Sequence, residues 1–219
     1  YAISLHSLAE LYQIMKIYQK AEPLYLQTLE LWKEMLGKEH PIYAASLSKL
    51  AELYQSAGIN DKAETFFIEV MDIQRKTLGE DDPVYVVSVN NLAGLYESMG
   101  LYDKAEPFCI EAMDIRKRTV GHEHPAYALS LDNLARLLVS MRKYDKAEPL
   151  YVQAMNIWRK SLGEDHPLYV TSLRTLAGLY ISMGSYDRAE PLYIQAVDIQ
   201  KKSLVGGGEE EPKAAVLSP

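Results

Sequence analysis

Few side chains in this sequence have the types and spacing that catalysis requires. Cys109 is the single cysteine among the 219 residues. A nucleophilic thiol needs an electropositive and accessible environment. The positions 42 or 84 residues away from Cys109 are all aromatic, which indicates a packing position inside a helix (Tyr25, Phe67, Tyr151 and Tyr193). We therefore predict a buried structural thiol and no catalytic residue.

The segment His122-Glu123-His124 contains side chains that can bind a metal ion, but no third ligand stands at a matching spacing. Histidine precedes proline at His40 and His166 as well as at His124, so a helix start explains the recurring histidines and only His122 is additional. The sequence predicts no metal site and no cofactor.

Paired acidic residues occur at the same joints, at Asp81-Asp82 and Glu164-Asp165. We interpret them as solvated carboxylates at helix starts, where negative charge interacts favourably with the helix dipole, rather than as an acid–base pair. The run Gly206-Gly207-Gly208 lacks the lysine and hydroxyl residue of a phosphate-binding loop. Nothing here indicates an enzyme.

The elements that position these residues are set by an internal repeat. A leucine, the alanine after it and a second alanine twelve residues later recur five times at steps of 42 residues (Leu8, Leu50, Leu92, Leu134 and Leu176; Ala9, Ala51, Ala93, Ala135 and Ala177; Ala21, Ala63, Ala105, Ala147 and Ala189). Self-similarity at such a period is the signature of an array of small structural units.

The third copy shows what one unit contains. Apolar residues three or four apart predict a helix from Pro83 to about Met99, and Gly100 ends it. A second helix is predicted from Asp103 to about Val120, with Asp103 and Glu106 at the spacing of a capping box. Each copy is thus a helix hairpin that buries its apolar stripe by stacking on its neighbours. We expect Ala93 and Ala105 to lie where the paired helices approach most closely.

The pattern Leu92-Ala93-x-x-Tyr96, Gly100-x-Tyr102-x-x-Ala105 and Cys109-x-x-Ala112 resembles the tetratricopeptide repeat, or TPR. The period and the Leu162-Gly163 to Pro167 joint resemble the long variant of kinesin light chains and of many bacterial multidomain proteins. The resemblance implies an all-α fold, a right-handed α-solenoid of five helix-turn-helix TPR repeats. Their predicted bounds are about 1–37, 38–79, 80–121, 122–163 and 164–204, followed by a flexible Gly/Glu-rich tail at 205–219.

Six departures from the family pattern stand at turn or packing positions. Lys16 and Arg142 replace the glycine after the first helix, and Leu138 replaces the tyrosine that follows the alanine of the first helix. Gln19 replaces aspartate, Asn60 replaces tyrosine and Thr65 replaces proline. We expect all six to be tolerated.

The resemblance also implies that the first helix of each repeat lines a concave face that binds protein or an extended peptide. The candidate contact positions vary between copies, as a surface that recognises a non-repeating partner would, although drift on a solvated face gives the same variation (Ser48, Glu52, Asn90, Asn91, Asp132, Asn133, Arg136 and Arg174). Asn91 and Asn133 match the asparagine that bonds peptide main chain in related arrays. Arginine can form bidentate bonds with acidic groups.

Composition limits the partners. A net charge of −7 disfavours nucleic acid and anionic membrane surfaces, and no apolar run reaches the roughly 18 residues of a membrane-spanning helix. The single cysteine is typical of a reducing compartment, so we expect a cytoplasmic protein. The chain starts inside a repeat at Tyr1, and we expect it to be a piece of a longer protein.

Alternatives remain open at this stage. The array is either a binding scaffold, a structural spacer, or the sensor or adaptor segment of a larger protease-like or nucleotide-hydrolysing enzyme. The tail at 206–219 is either a solvated end or a tethered ligand for the array itself.

Overall fold

The structure, a computed structural model, describes residues 1–206 of the chain, and every regular element in them is an α-helix. The helices are α1 (Ala2–Ile14), α2 (Tyr18–Leu36), α3 (Pro41–Ser56), α4 (Asn60–Thr77), α5 (Pro83–Ser98), α6 (Tyr102–Val120), α7 (Pro125–Ser140), α8 (Tyr144–Leu162), α9 (Pro167–Ser182) and α10 (Tyr186–Gly206). The predictions for the tail from 207 to 219 lie outside the described residues, and α10 continues two residues beyond the predicted end of the array at 204.

Consecutive helices pair as hairpins within two compact units, which divide between Thr119 and Val120. The first unit contains the hairpins α1/α2, α3/α4 and α5/α6, and the second contains α7/α8 and α9/α10. Within the first unit α2 packs on α3 and α4 packs on α5, and within the second unit α8 packs on α9. The predicted all-α class and the repeated helix hairpin are confirmed.

The first helices of repeats two to five begin with the same N-terminal cap. Proline occupies the first turn, where its missing N–H costs no intrahelical bond. The side chain before the proline accepts a hydrogen bond of 2.8 to 3.2 Å from the backbone N–H two residues later, and these residues are His40, Asp82, His124 and His166. The interpretation of these histidines as helix-start residues is confirmed.

The predicted capping box of the second helix is wrong. Helix α6 begins at Tyr102, so Asp103 already lies inside its first turn. The backbone of Leu101 explains the difference, because its N–H donates to the Tyr96 carbonyl at 2.8 Å and its own carbonyl accepts from the N–H of Ala105 at 3.1 Å. The turn from the preceding helix therefore fixes the start of α6 through the main chain.

The two alanine columns are buried in every hairpin. Each of the ten alanines in the two columns, Ala93 and Ala105 among them, is at most 3% exposed, as close packing of the paired helices requires. A larger side chain there would have to displace a neighbouring helix.

Replacing Ala51 of α3 with leucine tests this packing. We expect Ala51→Leu to lower the free energy of unfolding by about 1–3 kcal/mol, because the added carbons have no space. Ala45→Leu, at an exposed position of the same helix, is the matched control and should change stability by less than about 0.5 kcal/mol. Urea unfolding followed by circular dichroism measures both, and equal midpoints would contradict the placement.

Two first helices end in an unfavourable backbone conformation. Lys16 and Arg142 have φ of 58°, in the left-handed region that Gly100 occupies at the same position of repeat three. The Arg142 N–H donates to the Val139 carbonyl and the next N–H donates to the Leu138 carbonyl, which is the Schellman arrangement. The motif is thus kept although a side chain is present.

We expect Arg142→Gly to raise the free energy of unfolding by about 1 kcal/mol, because glycine removes the steric cost of positive φ. The reverse change, Gly100→Ala, should lower it by a similar amount. Thermal unfolding of the two variants against the parent protein measures the pair, and a loss of stability in Arg142→Gly would show that the arginine side chain outweighs the backbone cost.

Candidate functional site

The first helices carry every residue predicted to contact a partner. Six of the eight are half-buried and two, Arg136 and Arg174, are exposed. The six are Ser48 and Glu52 of α3, Asn90 and Asn91 of α5, and Asp132 and Asn133 of α7. None belongs to the closed core, so each side chain has access to solvent.

In the first unit, a cleft of about 480 Å³ lies between α1 and α3. Its walls include acidic, basic, polar and apolar side chains (Glu10, Gln13, Ile14, Lys49, Glu52 and Ser56). The Lys49 Nζ lies 2.8 Å from Glu52 Oε2, and the Tyr25 hydroxyl donates to Gln13 Oε1 at 2.7 Å. The structure thus brings Glu52 together with the side chains at the corresponding positions of α1.

The asparagines fall into two groups. Asn90 uses its amide N–H to bond the Val86 carbonyl of its own helix at 2.8 Å. The side-chain amides of Asn91 and Asn133 make no hydrogen bond to any described residue. Each of these two amides keeps a donor and an acceptor available at a half-buried position, which suits recognition of a peptide group.

Asp132 has a partner that the sequence reasoning missed. Its Oδ2 accepts a hydrogen bond of 3.1 Å from the indole N–H of Trp158 on α8. Burial raises the pKa of Asp132 to about 6, although the bond from Trp158 acts in the opposite direction. The two residues are 26 apart in sequence, as are Tyr85 and Glu111, so this spacing could have revealed the pair.

In the second unit, Arg174 lines an open cleft of about 470 Å³ between α9 and the end of α10. Val170, Thr171, Ile199 and Gln200 form part of the same wall. The guanidinium of Arg174 makes no ion pair with another described residue, so it is available to an anionic group.

The residues considered for catalysis and metal binding do not form a site. Cys109 is buried within α6, as predicted. The His124 side chain caps α7 by accepting from the backbone N–H of Ala126, and His122 is exposed. Within residues 1–206 no three His, Cys, Asp or Glu side chains are arranged to hold a metal ion.

Comparison with known proteins decides the family. The sequence profile described as tetratricopeptide repeat matches residues 1–76, 49–106, 85–153 and 137–202. The chain belongs to the tetratricopeptide repeat family. TPR domains of this kind are generally non-catalytic, and the assignment supports a protein-interaction scaffold.

Solved structures agree with the TPR assignment. The chain is 31% identical to a Podosopora anserina protein described as a kinesin light chain with nearly identical TPR-like repeats, with a TM-score of 0.80 over 92% of this chain and 95% of that one. BtubC (BKLC) from P. vanneervenii is 24% identical, with a TM-score of 0.78 over 98% of this chain and 85% of that one. The predicted solenoid class and the kinesin-light-chain-like type are confirmed.

A more distant likeness is to a Rap protein complexed with competence and sporulation factor. It is 18% identical, with a TM-score of 0.65 over 90% of this chain and 53% of that one. The comparison with curated proteins gives no match.

No TPR helix within residues 1–206 has the length and the apolar character that a membrane span needs.

Asp132 gives the TPR array a testable pH dependence. Because its folded pKa is raised to about 6, its contribution to stability is largest when it is protonated and is lost as pH rises through that value. We expect the stability difference between Asp132→Asn and the parent protein to shift in favour of the variant as pH rises from about 5 to about 7.5. The asparagine keeps an acceptor for Trp158.

Urea unfolding of both proteins at each pH measures this difference. Parallel stability profiles across the range would show that the Asp132 carboxylate is fully solvated and not half-buried.

Proposed function

We propose that the surface formed by the first helices binds an extended peptide or a protein segment. The observation that carries the proposal is the contrast between two kinds of position on those helices. The alanine columns are identical in every repeat and buried, whereas the neighbouring accessible positions carry side chains that mostly differ from copy to copy, with Asn91 and Asn133 as a shared pair. A surface that varies along the array suits a partner without internal repetition.

Asn91 and Asn133 are proposed to bond the main chain of the partner. A peptide group offers one donor and one acceptor, and an asparagine amide can satisfy both. Because both amides are half-buried and have no hydrogen bond to a described residue, a partner would gain bonds without displacing internal ones.

Charged residues are proposed to select the side chains of the partner. Arg174 would attract an acidic side chain or a terminal carboxylate in the cleft of the second unit. The cleft between α1 and α3 offers the carboxylates of Glu10 and Glu52 beside Lys49, so it would favour a polar segment with a basic group. The Rap protein of similar fold is described as complexed with competence and sporulation factor, which supports the proposal.

The proposal is tested with a peptide chosen by binding. A display library selected against the full chain supplies the probe, and isothermal calorimetry then measures its affinity for variants. We expect the double change Asn91→Ala and Asn133→Ala to weaken binding by more than about 1 kcal/mol, the scale of lost hydrogen bonds.

Asn156→Ala is the matched control, since Asn156 is exposed on α8, a second helix. It should bind the probe as the parent protein does. If no peptide is selected, or if the control loses as much affinity as the double variant, the first-helix surface is not the binding surface and the spacer alternative is favoured.

A further inference from the structure

Helix α5 contains a glycine that its own packing does not require. Outside its own stretch of helix, no heavy atom of the described residues lies within 4 Å of the point where a Cβ of residue Gly94 would stand. The backbone there is helical and does not enter the left-handed region. A glycine inside a helix makes that helix less stable than an alanine would. Alanine would fit at this position, so neither crowding nor backbone conformation explains the glycine.

The surface around Gly94 combines an apolar and a polar group. Val87, Asn90, Asn91 and Gly94 are spaced three or four residues apart, so they share one face of α5. Val87 is 50% exposed, and the side-chain amide of Asn91 makes no hydrogen bond to any described residue. Because Gly94 has no side chain, a polypeptide main chain can approach the helix closely beside that amide. We call these four residues the α5 strip.

An unpaired arginine stands beside the α5 strip. Arg116 of α6 is at the register position of Trp158, whose indole N–H bonds Asp132 across its hairpin, and Asn90 is at the position of Asp132. The Arg116 Nε is buried without a hydrogen-bond partner among the described residues, and the side chain makes no ion pair with any of them. The residue as a whole is half-buried, so an anion can reach it. A positive charge partly removed from water attracts an anion more strongly than an exposed one.

Repeat five contains the same combination with the two side chains exchanged between helices. Its arginine is on the first helix, Arg174, its amide is on the second helix, Gln200, and both line one cleft. Gly178 stands at the glycine position, again with no heavy atom within 4 Å of a Cβ. In the other three repeats a charged residue replaces the glycine and the corresponding pair contains no arginine (His6 with Trp32, Ser48 with Gln74, and Asp132 with Trp158). The open glycine thus accompanies an arginine–amide pair.

We propose that Arg116 binds the carboxylate of an acidic side chain in an extended peptide whose main chain crosses α5 at Gly94. This inference rests on the proposed function and names the chemistry of one position in the bound segment. An acidic peptide is the occupant because the guanidinium lacks an internal anion and because the glycine leaves room for a main chain next to the free amide of Asn91. Val87 offers an apolar contact on the same strip.

A double-mutant cycle tests the charge pair. Peptides selected from a display library against the full chain are prepared with amidated C-termini, and each of their acidic residues is changed in turn to its amide. Isothermal calorimetry should show that Arg116→Gln weakens binding of the selected peptide by about tenfold, the effect of losing a charge-assisted bond. A peptide without the critical carboxylate should bind the parent protein and Arg116→Gln equally.

Lys117→Gln is the matched control for this cycle. It removes the same charge from the next residue of α6, which is exposed and makes no ion pair with a described residue. Its affinity for the selected peptide should equal that of the parent protein. An equal loss in Lys117→Gln would show that the peptide responds to the net charge of the chain and not to Arg116.

Gly94→Ala tests the crossing point. The added methyl group fits in the free chain, so the midpoint of urea unfolding should rise. The same methyl group would stand between the helix and the peptide, so affinity for the selected peptide should fall by about tenfold. A glycine with a purely structural role would give no loss of affinity in a variant that is more stable.

The outcomes separate this inference from the proposed function. If the double change at Asn91 and Asn133 weakens binding but Arg116→Gln does not, or if the selected peptides contain no acidic residue, the role of Arg116 is wrong and the peptide-binding surface stands. If Gly94→Ala binds as the parent does, the crossing point is wrong. If the library yields no peptide, both the proposed function and this inference fail.

Discussion

The burial of an alanine at two positions of every repeat is the constraint on which the rest of the structure depends. With only a methyl group at these positions, the paired helices can pack closely in each copy. Other contacts then recur at fixed separations in sequence. Residues 26 apart meet across a hairpin, as Tyr85 meets Glu111, and residues 32 apart meet between repeats, as Tyr54 meets Glu22. The polar bonds thus follow from the packing and mark its register.

Much of the fold could be predicted because the same signals occur five times. Periodicity located the helices, and the residues before proline explained their starts. The sequence failed where main-chain geometry overrides a side-chain signal. Asp103 has the spacing of a cap, yet the carbonyl of Leu101 starts the helix. Arg142, by contrast, is tolerated at a glycine position as predicted, because the backbone bonds to Val139 and Leu138 hold the turn.

The candidate surface was harder to predict than the core. Side-chain spacing places the eight residues on first helices, which the structure bears out, but it does not say which polar groups are already occupied. Asn90 and Asp132 hold internal bonds, whereas Asn91 and Asn133 do not. Such differences depend on individual rotamers and on partners in another helix. The identity of the partner depends on side chains outside this chain and leaves no signal in one sequence.

The pairing of tyrosine with glutamate between neighbouring repeats also bears on how such a chain can change over generations. A segment of 42 residues such as repeat two carries both the tyrosine that donates and the glutamate that accepts, whereas repeat four has Leu138 in place of the tyrosine. Duplicating or deleting in frame a segment that carries both side chains joins compatible surfaces. Array length can therefore vary by inheritance while the junctions that carry the tyrosine keep this bond.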